Sequence, residues 1–364
     1  MKGKAAVYSH VGSPFEIKEF PLPEVEPDAV LVKVTLANIC GSDLHIWRGE
    51  FPGPKLPGVL GHEMVGTVYE LGKNIRTDSI GQPLAVGDRV VYPYWRTCGR
   101  CFACISGDFG ACPNKFPFRT GGTVDEPPHF LGAYAEYYYV SPGQPIFKVP
   151  KEVSDEMAAP VNCALAQVLF GLSRVGVTVG DYVVIQGAGG LGINSVAVAR
   201  EMGASKIIVI DRLEPRLKMA EAFGADHTIS LEEYPESRDR IARIRELTAG
   251  RSADVVVEVA GVPQVIPEGI SMLRFGGRYL IMGSITAGQN AEISPSSLIM
   301  RNSKLVFVGF YEPWAIVRAL DLLLRTQGKY PFDRILSHKF KLSDINEAFK
   351  QADAGKVIRA SLVP

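Results

Sequence analysis

At 364 residues, with 39 basic and 39 acidic side chains, the chain has no formal net charge and enough length for two domains that each bury a core. No run of like charge is long enough to draw it to nucleic acid or an anionic membrane, so a small neutral or weakly polar partner is expected. The N-terminus MKGKAAVY lacks the features of a signal peptide and runs such as Ala253–Ala260 are too short to span a bilayer, which predicts a soluble cytoplasmic protein. In that compartment the six cysteines stay reduced and read as metal ligands rather than disulfides.

The first ~150 residues read as β-rich, because short apolar runs such as Ala29–Ala37 and Met64–Leu71 are cut by Gly, Pro and Asp. Cys40-Gly-Ser42-Asp43-Leu-His45 and Gly61-His62-Glu63 are polar and bounded by glycine, which predicts strand ends or loops outside the core. Cys98, Cys101 and Cys104, at two-residue gaps and followed by Cys112, supply enough thiolate to close a tetrahedral shell around one zinc ion. The same spacing, with Cys112-Pro113, also fits iron–sulfur ligation, and that alternative stays open here. Cys40 and Cys163 are isolated and suggest a second ion bound with a histidine and one open position. Pro113–His129, rich in Pro, Gly and Phe, is the stretch expected to be least structured.

From about Lys151 the pattern changes to alternating strand and helix. Strands are predicted at Asp181–Gln186, Lys206–Ile210, Asp254–Val259, Arg278–Met282 and Leu305–Gly309. Helices fall between them, one with Ile193, Val196 and Ala197 on a face and ended by Gly203, the next opened by Pro215 and ended by Gly224. The alternation predicts an α/β, doubly wound parallel sheet over residues 156–310. Gly187-Ala-Gly189-Gly190-Leu191-Gly192 joins a strand to a helix, where bare backbone and a helix N-terminus suit a pyrophosphate. Asp211 ends the next strand at the spacing of a carboxylate that binds adenosine ribose and repels a 2′-phosphate, so NAD is expected over NADP. Arg212 beside it is the residue that would pair with such a phosphate, and the plainer reading of Asp211 is a loop-opening carboxylate. A helix around Trp314–Leu324 and a strand near Val357–Val363 make a piece too short for its own domain.

CGSDLH, GHE, the four-cysteine run, AAPVNC at Ala158–Cys163, GAGGLG and GKVIR at Gly355–Arg359, in this order, resemble the zinc-dependent medium-chain alcohol dehydrogenases. That family includes yeast-type, sorbitol and threonine dehydrogenases. The resemblance implies a β-rich GroES-like catalytic domain over residues 1–155, completed by 311–364, and a Rossmann NAD-binding domain over 156–310. It implies two zinc ions per chain, with Cys40, His62 and Cys163 as catalytic ligands and Cys98, Cys101, Cys104 and Cys112 as structural ones. Alcohol dehydrogenase is itself the standard example of the Cys₂His set. Zinc in that site acts as a Lewis acid that eases proton loss from an alcohol, so that hydride can leave.

By the same resemblance Ser42 takes the alcohol proton, His45 passes it to solvent, and Asp43 orients His62. Glu63 approaches the metal transiently, Arg359 contacts the cofactor pyrophosphate, and Trp47 and Trp95 line the substrate pocket. The plainer readings are a turn for Ser42 and Asp43, surface for His45, a surface salt bridge for Arg359 and core packing for the two tryptophans. Gln167 stands where many relatives carry a threonine against the nicotinamide, and the 113–133 stretch is longer than in many of them. The expected partner is a small alcohol or carbonyl compound, with secondary, cyclic or polyhydric alcohols favoured and small primary alcohols as the alternative. A homodimer or homotetramer is expected, with Leu305–Gly309 pairing across a two-fold axis. Two rivals are a non-catalytic dinucleotide-binding zinc protein and a metal-binding interaction protein.

Overall fold

The structure is a computed structural model that describes residues 1–51, 55–117 and 123–364. It divides into two compact units, Met1–Ala166 with Glu312–Gln327 and Phe332–Pro364, and Gln167–Tyr311 with Gly328–Pro331. This boundary lies inside the helical run Asp155–Val175, later than the 156 expected from the change of pattern, because the cysteine-bearing part of that run packs with the β-rich unit. The run is also long and apolar enough to cross a bilayer, contrary to the expectation that no stretch would be. It is 89% buried inside the fold, which makes it a core helix.

The first unit opens with β1 (Lys2–Tyr8), β2 (Phe15–Pro21), β3 (Val30–Asn38) and α1 (Gly41–Trp47). It continues through β4 (Gly58–Val59), β5 (Glu63–Leu71), β6 (Arg89–Val91), β7 (Trp95–Arg96), α2 (Phe102–Ile105) and β8 (Phe116–Pro117). β9 (Tyr137–Val140), β10 (Phe147–Lys148) and α3 (Asp155–Ala158) follow. Of the Pro113–His129 stretch, residues 118–122 lie outside the described residues, and the part before them pairs β8 with β7. Ser154 caps α3 by accepting the Met157 N–H, and Asp155 and Glu156 in the first turn complement the helix dipole. A single turn of π-helix, Val161–Leu165, leads into α4 (Ala166–Val175) and aims Cys163, a local irregularity of the kind found at functional sites.

The second unit contains β11 (Tyr182–Gln186), α5 (Gly190–Glu201), β12 (Lys206–Asp211), α6 (Glu214–Ala222), β13 (His227–Ser230) and α7 (Ser237–Leu247). β14 (Ala253–Glu258), α8 (Val265–Met272), β15 (Leu273–Ile281), α9 (Pro295–Arg301) and β16 (Lys304–Phe307) complete it. The sheet is parallel in the order β13-β12-β11-β14-β15-β16, so the strand order reverses beside β11, next to the glycine turn. The pattern reading missed β13, whose four residues carry little apolar signal, and placed the start of β15 too late. The buried β-branched strands 182–186, 206–211 and 253–258 are fully covered parallel strands, as their near-continuous apolar runs require.

The chain closes with α10 (Trp314–Arg325), β17 (His338–Lys341), α11 (Ile345–Asp353) and β18 (Ala360–Val363). β18 pairs antiparallel with β3, Ser361 opposite Asn38, so the C-terminal piece completes the sheet β10-β6-β5-β3-β18-β17. Val30, Val32 and Val34 of β3, Met64 and Val68 of β5 and Leu362 of β18 share one core. Each such side chain contributes roughly 1.5–3 kcal/mol by burial. At the end of these strands the buried Asn38 binds the Glu63 carboxylate at 3.2 Å and accepts from the Ser361 hydroxyl at 3.0 Å. Three strand ends are thereby tied together where Cys40 and His62 emerge.

Candidate active site

Cys40 follows β3 directly and is the N-cap of α1. Its N–H donates to Oδ2 of Asp43, three residues into the helix, at 3.0 Å, so the carboxylate satisfies a free helix-end donor and sets where the thiol points. The CGSDLH segment is therefore helical rather than a loop, and Asp43, His62 and Glu63 are buried rather than peripheral, with 0%, 2% and 0% exposure. The local signal of glycine and charge misled because the tertiary structure buries these polar groups as a bonded set. Asp43 Oδ1 lies 3.2 Å from Nδ1 of His62, and the Tyr134 hydroxyl donates to Oδ2 at 2.9 Å. With Nδ1 held by a carboxylate, Nε2 is the nitrogen left available to a metal. That nitrogen sits 3.3 Å from Sγ of Cys163.

The donor atoms of Cys40, His62, Glu63 and Cys163 all lie within 4.8 Å of one another. Zinc bound at about 2.0–2.3 Å from nitrogen and sulfur needs donors at such separations, and two thiolates with one imidazole suit it. Burial pulls the His62 imidazole down, but Asp43 and Cys40 together outweigh it and push its pKa up to about 10. The Cys163 hydrogen bond holds the Cys40 thiol well below its ordinary range, against its burial. Burial drives Glu63 up to about 7 despite the neighbouring Arg359. A cluster of acidic donors this far from water is the environment a divalent cation relieves.

Asn162, one residue before Cys163, was not singled out from the sequence. It is fully buried and its amide donates to the carbonyls of His62 at 3.0 Å and Tyr92 at 2.9 Å, bolting the segment of one sulfur to the backbone of the histidine. The only sequence signal was an amide inside the apolar run AAPVNCAL. Arg359 is ion-paired with Glu63 and is 6% exposed, so it is not a surface salt bridge. Ser42 is half-buried on the first turn of α1, and His45 stands three residues on, where side chains share a face. Nδ1 of His45 meets the Glu50 carboxylate at 2.7 Å, a partner the sequence reading also missed. Trp47 packs on Phe349 with ring centroids 5.9 Å apart, a core contact, and Trp95 is 2% exposed.

In the cysteine lobe the sulfur separations are 4.0 Å for Cys98–Cys104, 3.5 Å for Cys101–Cys104, 3.8 Å for Cys101–Cys112 and 3.7 Å for Cys112–Cys98. A tetrahedron with zinc–sulfur bonds of about 2.3 Å has edges of about 3.8 Å. Sulfurs this close converge on one ion and leave no room for a cluster of several irons. The buried Glu312 carboxylate accepts the N–H groups of Phe109 and Gly110 at 3.1 and 3.0 Å and so pins the turn before Cys112. No disulfide joins any of the six cysteines.

In the second unit Gly187 has φ +103°, and a Cβ on Gly192 would lie 1.9 Å from the Gly187 carbonyl, so neither position admits a side chain. A Cβ on Gly189 would meet nothing within 4 Å. Its missing side chain therefore serves something other than protein packing, as a pyrophosphate cradle at the start of α5 requires. Gly190 and Leu191 form the first turn of that helix. Asp211 accepts the Ala188 N–H at 2.6 Å and the Leu213 N–H at 2.8 Å, so it braces the glycine turn and opens its own loop at once. Arg212 beside it is exposed. Gln167 donates to the Val308 carbonyl at 3.1 Å. Glu258, fully buried at the end of β14, was overlooked. It accepts from Gly261, Gly283 and Ser284 at 2.8, 3.1 and 3.0 Å, and so shapes the two loops at the carboxyl ends of β14 and β15.

A GroES-like β unit with a Cys/His/Cys donor set and a four-cysteine lobe, joined to a parallel sheet carrying a glycine turn, defines a zinc-type dehydrogenase. The comparisons agree. The alcohol dehydrogenase GroES-like domain model matches residues 26–151 and the zinc-binding dehydrogenase model matches residues 190–325. The 5-exo-hydroxycamphor dehydrogenase of Pseudomonas putida is 35% identical, covering 94% of each chain. An alcohol dehydrogenase of Thermotoga maritima superposes with a TM-score of 0.94 at 30% identity over the whole of both chains. A zinc-binding dehydrogenase of Sinorhizobium meliloti 1021, solved bound to NADP, does so with 0.87 at 29% over both whole chains. The chain belongs to the zinc-dependent medium-chain alcohol dehydrogenase family and is an oxidoreductase of the alcohol dehydrogenase type.

Proposed function

We propose that this protein binds two zinc ions per chain and uses NAD to interconvert a secondary, cyclic or polyhydric alcohol with its carbonyl compound. The reading is carried by the convergence of the Cys40, His62 and Cys163 donor atoms within 4.8 Å, with Asp43 on the far nitrogen of the imidazole. When bound, zinc supplies Lewis acidity toward the substrate oxygen and the nicotinamide accepts hydride. The chain's own residues do the rest. Asp43 keeps Nε2 of His62 free to ligate, and Asn162 holds the histidine against the Cys163 segment. Ser42 accepts the hydroxyl proton of the alcohol and His45, oriented by Glu50, hands it to solvent. Glu63 and Arg359 form a buried pair behind the ligands, and Glu63 is the added carboxylate available to the metal.

The ring alcohol named in the Pseudomonas putida relative supports a cyclic or secondary substrate. Asp211 supports NAD, since a 2′-phosphate would meet a carboxylate fixed by two backbone N–H groups. A second copy of the chain is proposed to pair along β16, the edge strand of its sheet. An NAD-reduction screen over primary, secondary, cyclic and polyhydric alcohols, with zinc measured on the same sample, tests the reading. One zinc per chain, or preference for small primary alcohols, rejects the corresponding part. A kcat/KM for NADP equal to that for NAD removes the role given to Asp211, and light scattering that finds a monomer removes the β16 pairing.

A further inference from the structure

At the end of the second unit's sheet opposite the glycine turn, the amino ends of β14 and β15 open into a cavity of about 530 Å³. Arg245, Arg251, Arg274 and Arg301 line it, with Ser252 and Phe275. Concentrating four guanidinium groups here, in a chain with no formal net charge, needs a cause. Some of the charge has one. The fully buried Asp254 carboxylate takes Arg251 at 2.7 Å and Arg274 at 2.5 Å. Arg245 and Arg301 sit in the last turns of α7 and α9, and Arg274 follows the end of α8, where helix dipoles favour cations.

These roles do not absorb the whole. Four guanidinium groups against one carboxylate leave three positive charges. Three helix C-termini offset about half a charge each, so about one and a half remain. The Arg245 guanidinium has no hydrogen-bonding partner among the described residues, and Arg301 spends one donor on the Leu273 carbonyl at 3.2 Å. Guanidinium forks match phosphate oxygens in pairs, and the cavity has the volume of a small-molecule site rather than of a flat protein contact. The ring of Phe275, 71% exposed, lies at the same cavity with Arg301 5.8 Å from its centroid.

We propose that this arginine cavity binds a compact polyphosphate, inorganic or carried by a nucleotide, independently of the dinucleotide site. The test is calorimetric titration of the zinc-loaded enzyme with tripolyphosphate and with ATP, NAD being held saturating so that the glycine turn is occupied. One saturable site per chain is expected, weakened at least tenfold in Arg245→Gln/Arg301→Gln, while activity and melting temperature stay at the parent values. Arg245→Gln alone, at an exposed and unpaired side chain, should weaken binding several-fold and serves if the double variant folds poorly. ATP binding tighter than tripolyphosphate, with the gain lost in Phe275→Ala, assigns the nucleotide; equal binding assigns the inorganic ion. Binding that does not saturate, or that is unchanged in both arginine variants, overturns the proposal.

Discussion

The two cysteine-bearing centres of the first unit hold their donors at similar spacing but by opposite means. The Cys40/His62/Cys163 pocket draws its candidate ligands from a span of more than a hundred residues and fixes them through the core, by Asp43, Asn38, Asn162 and the sheet β5-β3-β18. The lobe takes four ligands from one stretch of fifteen residues, Cys98–Cys112, and leaves Phe102 and Ile105 86% and 78% exposed. The Glu312 clamp holds its turn, and the proposed zinc would supply the rest of its local order. On the proposed reading the pocket would be shaped by folding and then receive an ion, whereas the lobe would need its ion in order to fold.

The sharpest way to break this contrast is to remove one sulfur from each centre. Cys40→Ser should lower kcat/KM by more than about 1000-fold, since Lewis-acid stabilisation is worth several kcal/mol. NAD binding and the melting temperature should hold. Cys104→Ser should instead expose residues 98–112 to protease and lower the melting temperature. Equal loss of fold in both variants would erase the distinction.

Next in size, Asp43→Asn should weaken zinc at the pocket by about 10–100-fold, measured by competition with a chelator, with the lobe zinc unaffected. Asn162→Ala leaves the His62 and Tyr92 carbonyls without their amide donor. It should cost about 1–3 kcal/mol in denaturant unfolding. Glu312→Gln should cost the lobe less, about 1 kcal/mol, read as faster zinc release.

A separate effect is in pH. In the chelated protein the His62 pKa is raised to about 10, so its contribution to stability is complete below its unfolded value of about 6.5 and drains away as pH rises toward 10. Zinc displaces that proton, so the loaded protein should not show this decline. Melting temperatures of both forms across pH 6 to 10 check it, and parallel curves would count against the assignment of His62.

Much of this was legible without coordinates. The four-cysteine run pointed to one cluster because its residues are near neighbours in the chain, and GAGGLG pointed to a turn opening a helix for the same reason. What stayed hidden were long-range partners: Asn162, Glu258, Glu312 and Glu50 look like ordinary polar residues until folding brings up the backbone groups or the imidazole they bind. Trp47 and Trp95 were ambiguous for another reason, since a large aromatic suits core and pocket equally in sequence.

Sequence by itself determined the alternation of strand and helix, the glycine turn and the identity of every candidate ligand, because these depend on side-chain chemistry and short spacing. Tertiary structure alone decided that Cys40 starts a helix, that Glu63 and Arg359 face each other in the core, and that β18 returns to β3. Burial and hydrogen bonding across hundreds of residues set those outcomes, and no local window contains the groups that compete for them.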